Sequence, residues 1–290
     1  MKYGIVISVS KTGFGPIVFK ENLEENIIKT KEIGFNGIEL AIKNTEELDI
    51  NLLLNLVEKN DLRVATIGTG QIYVDDGLSL SDPDYEIRKE TVNRIKKIID
   101  IAKNFNTSVI IGCIRGKIKN DSEFPEEYEI AKKRILECLI DCMEYSQEHN
   151  TEFLLEPLNR YETNILNSVK DAVSFIEKHH KELDVDRIGV LADTFHMNIE
   201  DRNIHESLNE NIESIKHIHF ADSNRLPPGY GHINFSNIMN VLEDKDYNNY
   251  ISFEMLPYPS PDIAAKKGLS YIKTLSKQII MNKKNNTKIY

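Results

Sequence analysis

Glu156, Asp193, His219 and Glu254 can each give a divalent ion one oxygen or nitrogen ligand, and each closes, or nearly closes, a short aliphatic run of strand type. One imidazole with three carboxylates is a mostly hard donor set. It suits Mn2+ or Co2+ better than it suits a thiolate-rich structural zinc site, and Mg2+ and Zn2+ are also compatible. A single carboxylate at a strand end is as readily a solvated surface charge. Four such residues on four successive runs favour one shared site holding one ion. His217 alternates with His219 and shares its strand face; His219 is taken as the ligand because it stands nearer the C-terminal end.

Polar residues follow three of these four at short range: Glu162 six after Glu156, His196 three after Asp193, and Arg225 six after His219. Each falls in the segment above its ligand, where it could bind substrate hydroxyls; exposed charge is the plainer reading of Glu162 and Arg225 taken singly. Arg115 has no ligand beside it and is either a surface charge or a bidentate anchor for an anionic substrate.

A closed barrel would bring these residues together. Eight strand-type runs are present: Tyr3 to Ser8, Gly37 to Ala41, Arg63 to Ile67, Ser108 to Gly112, Glu152 to Glu156, Ile188 to Asp193, His217 to Ala221 and Tyr250 to Glu254. Between them lie helical stripes such as Leu23, Ile27, Ile28 and Ile33, or Val92, Ile95, Ile98, Ile99 and Ala102. This alternation predicts an α/β fold, a (β/α)8 TIM barrel whose strand ends converge on one mouth. An open doubly wound sheet is disfavoured, because the residues after the first run lack a GxGxxG turn. The segments Gly68 to Tyr85 and Cys113 to Glu127 read as long loops walling the site. One domain is expected over residues 1–281, with a polar, fraying tail at 282–290.

Composition agrees. The 290 residues suit one barrel of ~250 residues or slightly more. No apolar run approaches the roughly 20 residues of a membrane span, and the N-terminus shows no leader pattern, so a cytoplasmic location is expected. A net charge of −10 disfavours nucleic acid and anionic membranes as partners. Cys113, Cys138 and Cys142 form no CxxC pair, and the last two are expected to share a buried helix face.

At the candidate site the sequence resembles a known family. EPLNRYET (156–163), DTFHMNIE (193–200), HIHFADSNR (217–225) and PGYGH (228–232) closely resemble ketose 3-epimerases that act on D-tagatose and D-psicose, within the xylose isomerase-like TIM barrels. IGTGQ (67–71), DGLSL (76–80) and IIGCIRG (110–116) are more similar to a branch described as 5-keto-L-gluconate epimerases of inositol breakdown. The resemblance implies a metal-dependent isomerase, a dimer or tetramer acting on a small keto-sugar or keto-sugar acid. It implies metal ligation by Glu156, Asp193, His219 and Glu254, and substrate contacts by Glu162, His196 and Arg225, with Gln71 and Arg115 added from the second set of motifs. Arg115 would then meet the carboxylate of a keto-uronate.

A hydrogen beside a ketone is too weakly acidic for an unaided carboxylate, so the ion must polarise the carbonyl and stabilise the enediolate. Epimerisation also needs a base on each face of the carbon, and Glu156 and Glu254 are assigned as that pair. The expected reaction interconverts 5-keto-L-gluconate and D-tagaturonate, with 3-epimerisation of D-tagatose or D-psicose as the alternative.

Fold alone does not settle chemistry. A three-zinc DNA-repair endonuclease on the same barrel would need histidines from early strands, whereas the first histidine is His149. An inosose dehydratase differs in product and an aldose-ketose isomerase in the carbon that receives the proton. A catalytically silent sugar-binding protein is opposed by the presence of both glutamates and all four ligands.

Overall fold

Strand residues of one parity are aliphatic or aromatic and those of the other are mixed, and this alternation decides what faces where. In the computed structural model, which describes residues 1–119, 124–149 and 151–286, the barrel strands are β1 Lys2–Ser8, β2 Gly37–Ala41, β3 Arg63–Gly68, β4 Ser108–Ile111, β5 Phe153–Leu155, β6 Ile188–Asp193, β7 Ile215–Phe220 and β8 Tyr250–Phe253. They pair in parallel in chain order, and β8 closes onto β1 with Lys2 opposite Tyr250 and Ile5 opposite Phe253.

Ile5, Ile7, Ile38, Leu40, Ile218, Phe220, Ile251 and Phe253 join the main core beneath the surrounding helices. The alternate positions turn to the barrel axis. Val6 packs there with Ala41, and Ile110 with Leu154 and Leu191. The same parity holds Glu39, Thr66, Glu156, Asp193, His217, His219, Ser252 and Glu254, all buried. Register shifts at Ile38/Glu39 and at Val190/Leu191 mark bulges that flank the polar part of the interior.

The eight expected strands are all present, with ends displaced by a residue or two; β7 begins at Ile215, ahead of His217. A further strand, Phe19–Lys20, pairs beside β1 and is too short to show a period in sequence. Helix Tyr85–Phe105 buries its whole expected stripe. Helix Leu23–Ile33 buries Ile27 but leaves Ile28 39% exposed, since consecutive residues lie about 100° apart round a helix.

The segment after β3 is not wholly loop: Gly70–Asp76 is a helix ended by Gly77 at φ 72°. The segment after β4 opens with a 3-10 turn, Cys113–Arg115, and joins helix Phe124–Tyr145, while residues 120–123 lie outside the described residues. Cys138 and Cys142 are buried on that helix, and all three cysteines are free. The last helix, Pro261–Asn286, takes in most of the expected tail, whose residues 287–290 lie outside the described residues. No described helix is long and apolar enough to cross a membrane.

Candidate active site

Asp193 is the last residue of β6, His219 the penultimate residue of β7, and Glu156 and Glu254 directly follow β5 and β8. Inward parity therefore brings all four to one mouth, where one ligand atom from each lies within 4.8 Å of every other. His219 Nδ1 faces Glu156 Oε1 at 3.3 Å, Asp193 Oδ2 at 3.6 Å and Glu254 Oε2 at 3.6 Å. Glu156 approaches so closely that a Cβ on residue 112 would collide with its Oε2, which accounts for Gly112 at the end of β4.

Glu39, absent from the residues singled out by sequence, holds the other side of His219. Its Oε2 lies 3.0 Å from His219 Nε2 and 3.3 Å from His217 Nε2, and it accepts from Thr66 Oγ1 at 2.6 Å. His217 Nε2 is also 2.9 Å from Ser252 Oγ. Burial opposes ionisation of Glu39, but the two imidazoles hold its carboxyl well below the usual carboxylate range. The signal in sequence is a charged residue at an inward position of β2.

Burial, reinforced by Glu254 and Asp193, pushes Glu156 up to about 7 against the opposing pull of His219. Burial also opposes ionisation of Asp193, yet the Arg225 guanidinium overcomes it and keeps that carboxyl low. Among the described residues, Glu156 Oε1 and His219 Nδ1 have no hydrogen-bond partner. Three buried carboxylates converging on one point, one of them with an orphaned oxygen facing an orphaned imidazole nitrogen, fit a divalent cation, which would offset their mutual repulsion.

Arg225 donates to Asp193 Oδ2 at 2.9 Å and to Glu254 Oε2, and its guanidinium lies 4.6 Å from the Phe195 ring centroid. Asp193 Oδ1 caps the following helix, Thr194–Glu200, accepting from the Phe195 and His196 amides. His196 Nδ1 lies 3.2 Å from the Asn159 amide nitrogen and 2.7 Å from Asn159 Nδ2, and burial pushes the ring down to about 3. With Nδ1 accepting, Nε2 carries the proton, 3.9 Å from Asp193 Oδ2. Asn159 Nδ2 also donates to Glu162 Oε1 at 2.8 Å, tying together two residues that sequence picked out separately.

Two further expectations fare differently. Gln71 is 1% exposed and lines the cleft that also contains Glu156, His219 and Glu254. Arg115 does not reach the cleft. It is wholly buried behind it, donating to the carbonyls of Ile111, Glu156 and Ile165 at the ends of neighbouring segments. These contacts tie neighbouring backbone segments together.

Fold and site define a TIM-barrel protein with a metal-competent centre at the C-terminal ends of β5 to β8. The chain belongs to the xylose isomerase-like TIM barrel family, whose model matches residues 27–275, and its curated relatives are carbohydrate epimerases, enzymes of the isomerase class. A 3-dehydro-D-guloside 4-epimerase of Escherichia coli K12 is 26% identical over 265 residues, 88% of this chain and 96% of that protein. A D-psicose 3-epimerase of Ruminiclostridium cellulolyticum is 28% identical over 237 residues, 79% of this chain and 76% of its own length. The crystal structure of a 3-keto-D-glucoside 4-epimerase from E. coli shares the fold with a TM-score of 0.78 at 24% identity, covering 94% of this chain and 99% of that one.

Proposed function

We propose that this chain is a divalent-metal-dependent epimerase that inverts the carbon next to the ketone of a neutral keto-sugar. The observation that carries the reading is the convergence of Glu156 and Glu254 on one buried centre with Asp193 and His219. Those four residues would hold the ion, Mn2+ or Co2+ ahead of Mg2+ or Zn2+, which when bound polarises the ketone and offsets the charge that develops as the neighbouring carbon loses its proton.

One glutamate takes that proton as the C–H bond breaks and the electron pair moves into the enediolate. The other returns a proton to the opposite face, re-forming the ketone with inverted configuration, and the roles exchange in the reverse direction. Arg225 orients the Glu254 and Asp193 carboxylates, while His196, with its Nε2–H, and Glu162 offer a donor and an acceptor to sugar hydroxyls.

The choice of a neutral ketose over 5-keto-L-gluconate is supported by Arg115, which is wholly buried, is not among the residues lining the cleft, and turns its two terminal nitrogens to backbone carbonyls. No lysine or arginine is among the described residues lining the cleft, and Arg225 beside it is paired with Asp193 and Glu254. Both curated relatives described above act, by name, on keto-sugars or their glycosides.

The test is solvent exchange. Metal-loaded protein incubated with D-psicose or D-tagatose in D2O should place deuterium on the carbon beside the ketone, followed by NMR, with the epimer accumulating in parallel. Absence of label from every ketose offered would remove the proton-transfer reading.

A further inference from the structure

We propose that Gln71 sets specificity: its Oε1 accepts a hydrogen bond from one hydroxyl of the sugar and turns away ligands that place a carboxylate there. This rests on the keto-sugar reading and sharpens the class of substrate.

The orientation of the amide is fixed by its neighbour. Ser8 Oγ lies 2.7 Å from the Ser10 carbonyl and 2.7 Å from the Gln71 amide nitrogen. A carbonyl only accepts, so the single Ser8 proton goes to Ser10, and Ser8 can meet Gln71 only as an acceptor. The Gln71 NH2 is thereby committed to Ser8, and Oε1 is left as the free end. It is buried without a hydrogen-bond partner among the described residues, on a side chain that lines the same cleft as Glu156, His219 and Glu254.

A buried carbonyl oxygen without a donor costs free energy until a donor meets it. A sugar hydroxyl supplies one; an ionised carboxylate has only acceptor oxygens and would set lone pairs against lone pair. Gln71 stands on the helix Gly70–Asp76 after β3 and so approaches the cleft from a different strand end than the four candidate ligands, which lie at the ends of β5 to β8.

The test is calorimetric titration of the metal-loaded wild type and of Gln71→Met with D-psicose and with each of its singly deoxygenated forms. One deoxy form should bind the wild type about tenfold more weakly or worse than D-psicose, and in Gln71→Met that gap should shrink to about twofold or less. Ser8→Ala, which frees the amide to turn, should lower the preference for D-psicose over the corresponding keto-uronate. A wild type indifferent to every deoxygenation, a gap that survives in Gln71→Met, or a preference unmoved by Ser8→Ala would each overturn the inference. Deuterium uptake in the same samples separates the two claims: uptake without a Gln71-dependent gap overturns this inference alone, and the gap without uptake overturns the epimerase reading alone.

Discussion

His219 divides its ring nitrogens between two carboxylates, with Nε2 3.0 Å from Glu39 Oε2 and Nδ1 3.3 Å from Glu156 Oε1. With the N–H given to Glu39, the Nδ1 lone pair is left pointing at the cluster, the arrangement by which an outer carboxylate orients a metal-binding imidazole. Glu39→Gln should therefore weaken Mn2+ binding by about 10- to 100-fold, read by calorimetric titration. Unchanged affinity would mean that the ring is held by packing alone.

Glu254→Gln keeps the shape of the side chain and removes its ability to take a proton. Deuterium uptake by D-psicose should fall by about 10²- to 10⁴-fold, with the circular dichroism of the folded protein retained. Undiminished epimerisation by this variant would sink the two-base account.

Gly112→Ala places a methyl group where Glu156 Oε2 now lies. Moving a reacting group by about 1 Å costs on the order of 10²-fold in rate, so turnover should fall by that order while the overall barrel signal persists. Full activity would require Glu156 to have an alternative position of equal competence.

Arg115→Met removes one donor from each of the Ile111, Glu156 and Ile165 carbonyls, of which Ile111 still accepts from the Glu156 amide. Stability measured by urea unfolding should drop by about 1–3 kcal/mol. The ratio of D-psicose to keto-uronate affinity should stay constant; a shift in that ratio would return Arg115 to the substrate.

Burial pushes the Cys138 thiol up to about 11 and raises Cys142 as well. At pH 8 neither is appreciably thiolate, so both should resist a thiol reagent in the native protein and react in urea. Rapid labelling of either in the native protein would contradict the packing of helix Phe124–Tyr145.

The cluster of four candidate ligands was legible because each member stands at or beside the end of its own strand run, a pattern visible within a few residues. Glu39 was not, since its partner His219 lies 180 positions away and nothing local distinguishes an inward glutamate from a solvated one. Arg115 was ambiguous for a related reason: sequence shows a cation after a strand but not which way it turns, and here its terminal nitrogens turn to backbone carbonyls. The helix Gly70–Asp76 escaped because seven residues beginning with glycine carry too little periodicity. The eight strands were readable to within a residue or two because one face of each packs beneath the helices and leaves aliphatic or aromatic residues at alternate positions.

The hydrogen-bonded chain Ser252, His217, Glu39, His219 crosses the seam where β8 meets β1 and reaches β2. All four candidate ligands come from the second half of the molecule, but the group that aims one of them comes from the first. A half-barrel fragment would thus carry every candidate ligand and still lack the aim. Ion binding becomes a reporter of ring closure, and an ion that favours the closed ring over the open chain would tighten the seam by mass action, raising resistance to unfolding in step with its concentration.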